Sequence, residues 1–247
     1  MQFNWLPLKS QIGRIIKICL PSGMIVPIFQ GTLRGKKWMI ASSNIECALG
    51  SYEYEKRKLF ENRISKGSVV YDVGAHVGFY TLLASEIVGP EGKVIAFEPV
   101  PQNLLFLRRH LQLNGCRNVT IVDAAVCDKE GIACFDRGPN SSMGHISKDG
   151  DLIVRLVSLD ELVMKNRIDP PDYIKIDVEG AELLVLKGAK KTLTKYKPEL
   201  FLATHSPELH RNCCMFLRSL GCQIRPIANE RMNLSDELFG FWPKSLQ

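Results

Sequence analysis

The chain has 247 residues, 45% hydrophobic and 23% charged, with a formal net charge of +6. These proportions suit one large α/β domain with a sizeable core and a modest extension. They argue against a dedicated nucleic-acid binder, which would concentrate its basic residues and interleave them with aromatics.

The first 67 residues read as an N-terminal extension that packs on, or caps, a domain formed by residues 68–247. Within it, "IGRIIKICLPSGMIVPIF" is apolar but broken by Arg14, Lys17, Pro21 and Pro27. No small-residue cleavage site follows, and a membrane span needs roughly 20 apolar residues, so the segment reads poorly both as a signal peptide and as a crossing helix. An amphipathic segment resting on a membrane surface, or an element packed on the domain, fits better. "MIVPIFQGTLRGKKWMIAS" reads as short strands and turns, and "YEYEKRKLFENRIS" as a helix. The eight cysteines form no C-x-x-C pair and no His/Cys cluster has zinc spacing, which suits free thiols in a reducing, cytoplasmic setting.

From Ser68 onward, short β-rich runs alternate with helical stretches, the pattern of a parallel sheet covered by helices. The runs are "SVVYD" (68–72), "KVIAFE" (93–98), "NVTIVD" (118–123), "DYIKID" (172–177) and "ELFLATH" (199–205). Helices are expected over "GFYTLLASEIV", "PQNLLFLRRHLQLN" and "AELLVLKGAKKTLTKY". Two further β-rich runs, "GIACF" and "LIVRLV", interrupt the alternation around a polar loop at 137–150.

The runs end in Asp72, Glu98, Asp123, Asp177 and His205, all of them ionisable. Parallel strands bring such ends to one edge, where open α/β sheets bind ligands. After Asp72 the turn reads D-x-G-x-x-x-G, with His76 where a dinucleotide fingerprint needs its middle glycine, and no P-loop Gly-Lys-Ser/Thr follows. The turn therefore suits a ligand with no diphosphate to cradle. Glu98 stands where such folds place an acid on ribose hydroxyls, and a carboxylate there repels a ribose phosphate. S-adenosylmethionine has that description, and NAD meets it only in part.

"YDVGAHVGFYTLLAS", "VIAFEPVPQNLLFLRRHLQLNG", "AAVCDKEG" and "PDYIKIDVEGAELLVLKGA" together resemble the FkbM family of S-adenosylmethionine-dependent methyltransferases. The resemblance spans about Val69 to His205 and extends upstream through "GTLRGKKW" and "LGSYEYEK". It implies a class I methyltransferase fold: a Rossmann-like three-layer α/β/α sandwich whose mostly parallel seven-stranded sheet ends in an antiparallel strand. It also implies O-methylation of a sugar, glycolipid or natural product. Carried over by position, Asp72, Gly74, Ala75 and Gly78 stand beside the methionine part of the cofactor. Glu98 holds the ribose, Asp123 and Ala124 flank the adenine, and Asp177 lies near the methionine or the acceptor. Tyr52 and Glu53 close over the cofactor. Many members carry Asn where this chain has His76.

A hydroxyl acceptor is a poor nucleophile until deprotonated, so the reaction calls for a base or a metal. His205, on the same rim as Asp177, is the expected general base. Asp177 and Glu179, with Glu182 nearby, offer oxygen ligands for a divalent cation such as Mg²⁺. Lys175 shares the alternating face of Asp177, which predicts an ion pair. Two other classes share the fold, an NAD-linked oxidoreductase and a binding protein without turnover. A nucleic-acid N-methylating enzyme would show Asn/Asp-Pro-Pro-Tyr/Phe where this chain has Asp177-Val178-Glu179-Gly180. A small-molecule, glycan or glycolipid acceptor is therefore expected, with no nucleic acid; the oligomeric state is not legible.

Overall fold

The computed structural model describes residues 23–136, 138, 144–228, 232 and 235–243. The basic apolar segment around Arg14, Lys17 and Cys19, and much of the 137–150 loop, lie outside the described residues. Strand β1 (Ile25–Pro27) pairs antiparallel with β2 (Lys37–Met39), and helices α1 (Ile45–Leu49) and α2 (Tyr54–Arg63) follow. Next come β3 (Val69–Val73), α3 (Phe79–Val88), β4 (Lys93–Phe97), α4 (Pro101–Leu113) and β5 (Val119–Val122). A four-stranded insert is made of β6 (Ala125–Val126), β7 (Gly131–Asp136), β8 (His145–Ile146) and β9 (Leu152–Val157). The chain then runs through α5 (Leu159–Met164), β10 (Tyr173–Ile176), α6 (Glu182–Gly188), α7 (Lys190–Tyr196) and β11 (Glu199–Ala203). It continues through α8 (Pro207–Ser219), β12 (Gln223–Pro226) and β13 (Glu237–Phe241).

The main sheet has seven strands in the order β5-β4-β3-β10-β11-β13-β12. β13 runs antiparallel to both its neighbours and the other pairs are parallel, as expected. Side chains alternate across it. Tyr71, Val73, Ile174 and Ile176 pack into the layer of α5 to α8, while Val70, Val94 and Phe201 pack into the layer of α3 and the extension. The stretch expected as one helix from Ala181 to Tyr196 is instead α6 and α7, parted at Ala189. There Gly188 lies so near the Cys127 carbonyl oxygen that a Cβ would sit 2.0 Å from it.

The polar loop between β7 and β9 contains the short strand β8, and the insert contributes Phe135, Val154 and Leu156 to a buried cluster. Each of the seven cysteines among the described residues is a free thiol, and Cys47, Cys127, Cys213, Cys214 and Cys222 are buried. Among the described residues, no helix is long and apolar enough to cross a membrane.

Residues 28–64 share one apolar cluster with β3 and α3, built on Ile28, Trp38, Phe60, Val70 and Leu82. A buried histidine joins the two parts. Trp38 stacks on the His110 ring at 3.8 Å, the Met39 amide donates to Nε2 (3.1 Å), and Nδ1 bonds the Val77 carbonyl (2.7 Å). Those two partners select the neutral ring protonated at Nδ1, and burial pushes its pKa down to about 4.

Between that value and the unfolded value of about 6.5, only the unfolded chain takes up the proton. His110 therefore favours the fold fully above pH 6.5, and that contribution is lost as the pH falls toward 4. We expect it to account for about 2 kcal/mol of stability lost between pH 7.5 and pH 5. Chemical denaturation of wild type and His110→Gln at both pH values measures this. The wild-type loss should exceed the variant's by about that amount; equal losses would show that His110 is not the titrating group.

Gly74, just after β3, has φ +80°, and a Cβ there would lie 1.8 Å from the Asp177 carbonyl oxygen. The ends of β3 and β10 meet at that point. Gly74→Ala should destabilise the protein by roughly 2–5 kcal/mol, combining left-handed backbone strain with overpacking. Stability within 0.5 kcal/mol of wild type on the same assay, well under that range, would remove the close approach from the account.

Candidate functional site

At the C-terminal edge of the sheet, the turn after β3 lies beside the ends of β4, β5 and β10. Asp72 is fully buried on the face toward the extension, where its register neighbour is Lys175 on β10. The Lys175 Nζ lies 3.2 Å from one carboxylate oxygen of Asp72, the Thr81 hydroxyl donates to the other (2.6 Å), and Nζ also donates to the Gly74 carbonyl (3.1 Å). Burial alone would lower the Lys175 pKa, but Asp72 and Asp177 outweigh it and hold the ammonium charged. Lys175 is thus paired more closely with Asp72 than with Asp177, which is 3.9 Å away.

Beyond this pair lies an open cavity lined by Gly74, His76, Phe97, Glu98, Val100, Asn103, Ala124, Phe135, Asp177 and Glu179, among others. Glu98, just past β4, is 4% exposed. One of its oxygens accepts from the His76 amide (2.8 Å). The other accepts from the Val100 amide (3.0 Å) and the Asn103 side-chain amide (3.1 Å). Burial raises its pKa and these bonds act against that rise; the net direction is upward. A carboxylate has about four lone-pair sites, so Glu98 can still accept from a ligand hydroxyl.

His76 has φ +51°. Asn and His are among the residues that enter this left-handed region most readily, so a histidine serves where the resembled family often has asparagine. The turn needs a residue tolerant of that backbone rather than a second glycine.

The expected site residues separate into groups. Gly74, Glu98, Ala124 and Asp177 line the cavity, as does His76. Asp72 lies beneath it, held by Lys175 and Thr81. Ala75 packs on Leu104, Leu107 and Leu111 of α4, and Gly78 lies against Leu107 at the start of α3. Asp123 faces outward, paired with Arg108 at 2.7 Å and half-exposed. Tyr52 packs edge-on against Phe79 and Tyr80, and burial, then Glu53, raises its pKa. Glu53 is joined to the rim through Lys56.

Lys56 escaped the sequence reading. It sits in a charged run typical of an exposed helix, yet it is 2% exposed, with its Nζ 2.6 Å from Glu53, 2.5 Å from Glu237 and 3.6 Å from Asp177. Burial disfavours its charge, but Asp177, Glu53 and Glu237 raise its pKa well above the usual lysine value. For Asp177, burial works upward, while Lys175, Lys56 and His205 hold the carboxyl below its usual range.

His205 stands beside the end of β10. Its Nδ1 is 2.6 Å from Glu182, and its Nε2 is 3.5 Å from Asp177 and 3.4 Å from Glu179. The Glu182 bond outweighs partial burial, and with the neighbouring carboxylates it pushes the His205 pKa up to about 9. With no cation beside it, a ring so placed holds its proton at neutral pH, and Nε2 offers a lone pair to a proton or a metal ion only once that proton has left. The general-base role expected of His205 requires that proton to leave first.

The Methyltransferase FkbM domain matches residues 72–224, more than half of the chain. The hexuronic acid methyltransferase AglP of Haloferax volcanii is 28% identical over 143 residues, which are 57% of this chain and 58% of that protein. A protein-L-isoaspartate O-methyltransferase of Methanococcoides burtonii is 26% identical over 102 residues, 37% of this chain and 50% of that protein. The chain thus spans little more than half the length of these curated relatives. Among solved structures, the methyltransferase FkbM of Methylobacillus flagellatus KT is similar with a TM-score of 0.53 and 22% identity, over 73% of this chain and 44% of that one. The sheet order and the antiparallel β13 are those of the class I, Rossmann-like methyltransferase fold. With the matched stretch running from Asp72 through every strand-end acid of the rim, the chain belongs to the FkbM family of methyltransferases.

Proposed function

We propose that the protein transfers a methyl group from S-adenosylmethionine to a hydroxyl of a sugar or glycolipid acceptor. The observation that carries this reading is Glu98. It is a buried carboxylate at the end of β4, lining a cavity beside a turn that has His76 where a dinucleotide fingerprint needs its middle glycine. The hexuronic acid methyltransferase among the relatives supports a sugar as acceptor.

When bound, S-adenosylmethionine supplies an electrophilic methyl on a positively charged sulfur. Glu98 accepts a hydroxyl hydrogen from the ribose at its remaining acceptor site. Phe97, Ala124 and Phe135 give the cavity apolar walls that exclude water. Asp177 presents negative charge toward a cationic ligand, and the acceptor's hydroxyl would lose its proton beside the cluster of Asp177, Glu179 and His205.

Calorimetric titration with S-adenosylhomocysteine tests the cofactor assignment. Wild type should bind saturably. Glu98→Ala should weaken binding on the order of 10- to 150-fold, since a hydrogen bond to a charged group contributes ~1.5–3 kcal/mol. Glu98→Gln, which keeps one acceptor oxygen, should lie between the two. No binding by the wild type would sink the reading, and an unchanged dissociation constant in both variants would take Glu98 off the ribose. Radiolabelled methyl transfer to a panel of glycans and glycolipids tests the acceptor. Transfer confined to acceptors without a sugar would overturn that half of the proposal.

A further inference from the structure

We propose that Asp177, Glu179 and His205 form a binding site for a divalent first-row transition-metal ion, with Glu182 positioning the histidine. One ligand atom from each of the three lies within 4.8 Å of the others. The His205 Nε2 is 3.5 Å from an Asp177 oxygen and 3.4 Å from a Glu179 oxygen. Neighbouring donors around an ion with bonds of about 2.0–2.2 Å stand roughly 3 Å apart, so a small closing movement brings the three onto one cation.

The supporting contacts are those of a metal centre. Glu182 is fully buried, and one of its oxygens takes both the His205 Nδ1 (2.6 Å) and the Gly180 amide (3.1 Å). A carboxylate on Nδ1 fixes the tautomer and turns Nε2 toward the two acids, as in carboxylate–histidine–metal arrangements. The ligands come from the loops after two adjacent parallel strands, β10 and β11, which gives them a rigid base. Glu179 is held at φ +53°, a left-handed backbone that a non-glycine residue adopts at some cost.

Charge leads to the same place. Asp72 is matched by Lys175 at 3.2 Å, and Lys56 is shared by Glu53 and Glu237 with Asp177 more distant. No lysine or arginine ion pair joins Glu179 or Glu182 among the described residues, so the cluster carries excess negative charge beside His205. An imidazole in the donor set favours an ion such as Mn²⁺ over the Mg²⁺ expected from the carboxylates alone. A cation there would bind the acceptor's hydroxyl oxygen and lower its pKa, the released proton passing to water. Only this catalytic role rests on the methyl-transfer reading; cation binding stands apart from it.

The test is titration of EDTA-stripped full-length protein with MnCl₂, following loss of the free-ion signal by electron paramagnetic resonance. One saturable site is expected, with MgCl₂ competing at least tenfold more weakly, in keeping with the imidazole donor. His205→Ala should weaken Mn²⁺ binding at least tenfold and Glu182→Gln by about 10- to 100-fold. S-adenosylhomocysteine binding should stay within about twofold of wild type, an energy change of under 0.5 kcal/mol. If Glu182→Gln does not fold, the partly exposed His205→Ala decides alone. Absence of saturable Mn²⁺ binding below about 1 mM, an affinity near 4 kcal/mol, would overturn the proposal, as would unchanged binding in His205→Ala. Cofactor binding without Mn²⁺ binding removes the cation site and leaves methyl transfer standing; the reverse removes the methyl-transfer reading alone.

Discussion

The buried pair of Lys175 and Asp72 is the constraint on which the rim depends. Each sits on its own parallel strand, in register, on the face turned toward the extension. Removing one partner would leave a buried charge uncompensated, a loss of roughly 3–5 kcal/mol. With both present, the ammonium also binds the Gly74 carbonyl, so the turn after β3 is held to the end of β10. Gly74 then lies so close to the Asp177 backbone that no side chain fits. The cavity and the acid cluster inherit their positions from this junction.

A second lysine does for the extension what Lys175 does for the sheet. Lys56 descends from α2 into the same face and gathers Glu53, Glu237 and Asp177, joining the extension, the last strand and the rim in one charged contact. His110 joins the extension to the turn before α3, through Trp38, Met39 and Val77. The extension is therefore part of what shapes the electrostatics of the site. The charge beside Asp177 depends on a residue outside the stretch that matches the family domain.

Much of the fold was legible because parallel strands and amphipathic helices write their periods into the chain. The five runs ending in Asp72, Glu98, Asp123, Asp177 and His205 correspond to β3, β4, β5, β10 and β11 within a residue or two. Glu98 and Asp177 were legible for the same reason: a strand end has a fixed direction, so its last polar residue faces the shared edge. Asp123 follows the rule by position only, because Arg108 on the neighbouring helix draws its carboxylate outward. Lys56 was hidden since its partner Glu237 is remote in sequence and nothing local marks a buried lysine. His76 looked like a missing glycine until its left-handed backbone explained it. His205 was legible as a rim residue from its place after the strand next to β10, but its three carboxylate neighbours, which raise its pKa to about 9, are not marked in the sequence.

A crystal structure with S-adenosylhomocysteine bound tests the central claim most directly. The account predicts ribose hydroxyls against Glu98, the adenine between the ends of β4 and β5 near Ala124 and Phe135, and the sulfur directed toward Asp177. A ligand lying elsewhere, or one whose ribose has no contact with Glu98, would contradict it.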